Sequence, residues 1–172
     1  AIQYGFVGLL ARFESQGLED ARWQMAATTA EAARTFTPTG VGAGNFGAVY
    51  PSFEPPEQRG IYYVNRAHND WIEWWLEGGL PLIVLAIAAV ALLFFATLRT
   101  WRADDDERLW RLGAAIACWL VLLHSAMDYP LRTTGIATVF AVLLAIAFAP
   151  AATPVTSTRS SRRRSRSTEE LP

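Results

Sequence analysis

The sequence contains no lysine, one cysteine and two histidines, and each scarcity narrows what the chain can be. Cys118 has no partner for an internal disulfide, so a stapled scaffold is excluded and the redox compartment is unreadable. With His68 and His124 far apart, Asp70 and Glu73 lack the neighbouring His or Cys of a metal-site spacing, and no metal is expected. Charge is missing too. Residues 80–97 carry none and have a single hydroxyl. Two further apolar blocks follow at 109–127 and 134–149, and each of the three is near the length that crosses a bilayer. Buried helices of a large soluble core are the alternative, but they would show a polar stripe at helical spacing, which the first block lacks. The second block keeps Arg111 and His124 near its ends, where such side chains reach the headgroups.

What is present is 52% hydrophobic, with a mean hydropathy of +0.17 over 172 residues despite an Arg-rich tail. The expected architecture is all-α and integral to a membrane. Three transmembrane helices at about 80–98, 109–127 and 134–149 follow a long loop, 11–79, that carries short helices. Residues 1–10 are apolar but too short to span, and read as the stump of a preceding membrane helix. The chain then reads as the C-terminal fragment of a larger multi-span bundle. Arg99, Arg102, Arg108 and Arg111 flank the short loop after the first span, and five further arginines crowd the tail. The positive-inside rule assigns that loop and the tail to the cytoplasm, and loop 11–79 to the outer, periplasmic side of a bacterial inner membrane. The tail, 150–172, lacks apolar periodicity and reads as disordered and basic. Its Arg-Ser run suits a topology anchor on anionic membrane lipids better than a nucleic-acid site.

Within the outer loop, the Ala-rich stretch 19–35 predicts a helix with acidic residues at its start and an end before Pro38. Thr39 to Phe46 reads as loop, and the Pro, Glu and Gly of 51–60 argue against regular structure. Gly42, Gly44 and Gly47 have the GxGxxG spacing of dinucleotide loops, yet neither a preceding strand nor a following helix is predicted. A tight turn allowing close approach of another segment is the expected role. A second short helix begins near His68, with Asn69 or Asp70 as cap and Glu73 in a loose capping-box position. Asp70, Glu73 and Glu77 share one arc of it, Trp71, Ile72, Trp75 and Leu76 the other, which suits an interfacial helix with an aromatic belt. Carboxylates so spaced are common on solvated helices. Gly78, Gly79 and Pro81 then turn the chain into the first span. His68 is either a polar loop residue or a general base at the membrane surface. His124, Ser125 and Asp128 end the second span on the same side as His68; these residues support structure or chemistry, with Asp128 and Arg132 as an obvious local pair.

Three ordered motifs resemble those of the O-antigen ligase, O-antigen polymerase and protein O-oligosaccharyltransferase family: Gly40-Val41-Gly42-Ala43-Gly44-Asn45-Phe46; Ala67-His68-Asn69-Asp70 with Glu73 and Glu77-Gly78-Gly79-Leu80; and His124-Ser125 with Asp128-Tyr129-Pro130-Leu131. The resemblance covers roughly residues 18–149, and family members have more spans than are present. It implies transfer of a glycan from an undecaprenyl diphosphate carrier to a hydroxyl of a glycan, lipid A-core or protein acceptor, without cofactor or metal. It also implies that His68 activates the acceptor and that Arg22 grips the diphosphate. Arg66 and Arg59 are weaker candidates for that grip, and Asn69, Asp70, Glu73, Gly42, Gly44, His124 and Asp128 are supporting residues. A further family arginine would lie upstream, so catalysis is expected of the larger protein and not of this chain alone. A transporter segment or non-catalytic membrane subunit with a lid loop is the competing reading.

Overall fold

The computed structural model describes residues 16–56, 59 and 63–150, so the expected stump at 1–10 and the tail from 151 onward lie outside the described residues. Helix α1 (Gln16–Thr35) begins three residues before the expected start and ends, as expected, ahead of Pro38. Its buried side chains are small: Ala26, Thr28, Thr29, Ala32 and Ala33. Such a face lets another helix approach closely, and Thr29 removes its own polarity by donating to the Met25 carbonyl (2.7 Å).

Helix α2 (Phe46–Phe53) is a correction, because a helix does follow the glycines. Phe46 and Tyr50, one turn apart, stack at 5.1 Å and are fully buried with Ala32, Ala33, Ala67 and Leu76. Burial of such a side chain stabilises by about 1.5–3 kcal/mol. Pro51 costs the helix one backbone bond near its end, which that burial outweighs. The dinucleotide reading still fails, since no strand precedes the glycines among the described residues.

Helix α3 (Asp70–Trp101) runs for 32 residues but breaks at Gly79, whose φ of 60° and ψ of −155° are not helical. It divides there into a polar head, 70–78, and an apolar shaft, as Gly78, Gly79 and Pro81 predict. This is a helix long and apolar enough to cross a membrane. Val84, Leu85, Ile87, Leu92, Phe94 and Phe95 project outward from the shaft. Helix α4 (Arg108–His124) stops three residues short of the expected 127, because the chain turns at Ser125 to reach the head of α3. A 3-10 turn (Pro130–Arg132) leads into α5 (Thr134–Ala147), a shorter apolar helix. Among the described residues every regular element is thus a helix. The shafts share a second core of Leu93, Ala114, Ala115, Cys118, Leu122 and Ala147. At the far end of α4, buried Arg111 is paired with Asp105 at 2.5 Å.

Candidate active site

Everything at the site hangs on the head of α3. Asn69 is its cap: extended, it accepts the Ile72 amide (3.0 Å) and donates its own side-chain amide to the Ala126 carbonyl (2.8 Å). The Asp70 amide donates to the Ser125 carbonyl at 2.9 Å, so the start of α3 is stitched to the end of α4. The predicted capping box does not form. Glu73 reaches back past the cap, accepting the Ala67 amide (3.0 Å) and the Arg66 guanidinium (2.8 Å).

The acidic arc is real, but it is buried and not solvated. Asp70 and Glu73 are 0% exposed and Glu77 is 3% exposed. Each holds a different loop by a backbone amide. Asp70 accepts from Leu131 (3.1 Å), Glu73 from Ala67, and Glu77 from Gly44 (2.9 Å). Arg132 lies across all three, 3.8 Å from Asp70, 3.5 Å from Glu73 and 2.8 Å from Glu77. The expected pair of Arg132 with Asp128 is therefore not made. Three carboxylates out of water need a counter-charge far more than one that is a third exposed. Burial pushes the Asp70 carboxyl above its ordinary range, against the opposing effects of the Leu131 amide, the Ser125 hydroxyl and Arg132.

The glycine loop behaves as a close-approach turn. Gly40, Gly42 and Gly44 all have positive φ, and the Val41 and Gly42 amides donate to the carbonyls of Leu76 (2.9 Å) and Glu77 (2.8 Å). A Cβ on Gly40 would stand 2.6 Å from the Glu77 oxygen, so only glycine lets this loop lie on the head of α3.

His68 sits where the anchored segments meet. Its φ of 52° is in the left-handed region, a conformation that persists when its neighbours over-determine it. Here Ala67 is tied to Glu73 and Asn69 to Ala126. The ring Nδ1 lies 3.2 Å from an Asp128 carboxylate oxygen, and the Tyr129 ring stands edge-on at 5.0 Å. With Nδ1 donating to Asp128, Nε2 keeps its lone pair and can accept a proton.

His68 opens into a cleft that is also lined by Arg22, Trp23, Asn69, Ala126 and Met127. The fold thereby brings together Arg22 and His68, which are far apart in sequence. Asn69 lines the same cleft and Asp128 pairs with His68, whereas Asp70, Glu73, Gly42 and Gly44 are not among the cleft residues and are tied instead to Leu131, Ala67 and Glu77. Arg66 is turned toward Glu73, Arg59 is exposed with its side chain on the Glu54 carbonyl (3.3 Å), and the exposed His124 is not among the cleft residues. Sequence reasoning missed the role of Arg132 and the reach of Glu77. The available signal was a lone cation in the turn that faces three acids on one helical arc.

A search of curated proteins and one of solved structures returned no match. The sequence model of one family, described as O-antigen ligase, matches residues 1–87, which include α1, the glycine loop, His68 and the acidic head of α3. With half of its 172 residues inside that match, and with a helix long and apolar enough to span a bilayer, the chain belongs to the O-antigen ligase family, which implies a ligase-type membrane glycosyltransferase activity.

Proposed function

We propose that the chain forms part of an enzyme that transfers a glycan from undecaprenyl diphosphate to an acceptor hydroxyl at the outer face of a bacterial inner membrane. The shafts of α3, α4 and α5 serve as three spans in this reading, with loop 11–79 on the periplasmic side. One observation supports the chemistry above the others: the His68–Asp128 pair opens into the cleft that Arg22 lines.

The step follows from those groups. Nε2 of His68 takes the acceptor's hydroxyl proton as its oxygen attacks the anomeric carbon, and the bond from that carbon to the diphosphate oxygen breaks. Undecaprenyl diphosphate leaves with the bonding electrons. Its growing charge is met by Arg22, whose planar fork donates two hydrogen bonds to phosphate oxygens. Asp128 stabilises the imidazolium that forms. A single displacement inverts the anomeric centre. Asn69 and the acidic arc hold the base in place, while Arg66 is committed first to Glu73 and serves the diphosphate secondarily.

The test compares wild type with His68→Ala in the full-length protein at matched membrane levels. Lipid-linked glycan should accumulate and transferred product should be lost. Unchanged product would make His68 an interfacial loop residue and favour a non-catalytic membrane subunit with a lid loop.

A further inference from the structure

Three segments are held to the head of α3: the glycine loop, the backbone at Ala67–His68, which carries a cleft residue, and the 3-10 turn Pro130–Arg132 that follows Asp128. Each is bonded to one carboxylate of α3: Gly44 to Glu77, Ala67 to Glu73 and Leu131 to Asp70. Those carboxylates are almost fully buried, so their mutual repulsion is poorly screened and needs a cation. Arg66 reaches only Glu73 and is a third exposed, whereas Arg132 is 17% exposed and spans the whole arc.

We propose that Arg132 is a positioning residue of the transfer reaction: by joining Asp70, Glu73 and Glu77 it fixes the anchors of all three segments and thereby sets the His68–Asp128 pair against the cleft. Arg132 itself is not among the residues that line the cleft, and its ion pairs are with the acids of α3. Its contribution therefore belongs to the rate of the bound complex and not to donor affinity. This inference rests on the transferase reading given above, with His68 as base.

The decisive experiment uses the full-length protein in membranes, with Arg132→Met, Arg132→Lys and the double variant Arg132→Met/Glu77→Gln. Displacing a catalytic group by about 1 Å lowers rates on the order of 100-fold, and that fall in kcat is expected for Arg132→Met, with the donor KM within about twofold of wild type. Lysine keeps the charge without the fork and should recover part of the rate. The double variant is the sharper probe, because glutamine still accepts the Gly44 amide but needs no counter-charge; its rate should exceed that of Arg132→Met by about tenfold. Limited proteolysis of segment 36–69 should follow the same order, with cleavage fastest in Arg132→Met. A loss confined to KM would overturn the proposal by placing Arg132 on the donor. A double variant no better than the single in both rate and protease resistance would overturn it as well. Because proteolysis reads the clamp without any turnover, failure of the transferase reading, seen as normal product from His68→Ala, is distinguishable from failure of the clamp.

Discussion

Gly79→Ala tests the geometry that seats the glycine loop on α3. At φ 60° and ψ −155° the backbone occupies a region that is essentially glycine-only, and a side chain there costs on the order of 1–3 kcal/mol. A Cβ would also stand 2.1 Å from the Pro38 oxygen and 2.7 Å from the Gly40 nitrogen. Both are backbone atoms, so no side chain can swing aside and the two segments must separate. Separation endangers the bonds from the Leu80 amide to Pro38 (2.8 Å) and from the Gly42 amide to Glu77 (2.8 Å). At roughly 1 kcal/mol net for each hydrogen bond, the total loss is about 3–5 kcal/mol. Gly44→Ala is the internal control. It shares a positive φ of 81°, but no described atom lies within 4 Å of the place its Cβ would occupy, so only the conformational cost of about 1–2 kcal/mol applies. Unfolding of the detergent-solubilised full-length protein, followed by tryptophan fluorescence, should rank wild type above Gly44→Ala and Gly44→Ala well above Gly79→Ala. Equal stability of the two variants would refute the close approach of Pro38 and Gly40 to the head of α3.

Asp128→Asn should leave insertion and folding intact while lowering transfer about 100-fold or more, since an amide can hold the ring in the other tautomer and cannot stabilise an imidazolium; steady-state transfer at matched levels checks it, and a wild-type rate would remove Asp128 from the reaction. The buried Asp70 carboxyl titrates above its ordinary value of 3.8, chiefly through desolvation, so it is harder to ionise in the folded chain than in the unfolded one. Its stabilising contribution is complete below that value and is lost as pH rises through the raised one. Asp70→Asn should therefore flatten the fall in unfolding temperature across that window, and parallel curves for variant and wild type would contradict the assignment.

How far the site could be read from sequence depended on whether neighbours in space were neighbours along the chain. The cap at Asn69, the break at Gly79 and the arc of Asp70, Glu73 and Glu77 are local, fixed by helical spacing and by glycine's access to positive φ. Helix α2 was hidden because Pro51 signals a break locally, whereas burial of Phe46 and Tyr50 against α1 and α3 is a tertiary effect. The environment of the acids was hidden for the same reason. Spacing places three carboxylates on one face but does not say whether that face meets water or Arg132. Proximity in sequence also misled, since Asp128 and Arg132, four residues apart, are drawn to His68 and to α3 respectively.

That division of partners explains why the head of α3 suits a site assembled from loops. Its rotational setting is fixed on both sides: the Trp71 indole donates to the Leu122 carbonyl (3.2 Å) and the Trp75 indole to the Thr37 hydroxyl (3.0 Å), while the acids engage Arg132. Because residues at i, i+3 and i+7 share one arc, a rotation of the helix would break the bonds to Leu131, Ala67 and Gly44 together. The three loops are thus coupled through one rigid element that continues into the longest apolar shaft. A loop-borne base such as His68 acquires the precision of a helix-borne one by this route, and the left-handed backbone it adopts is tolerated because both of its neighbours are tied down.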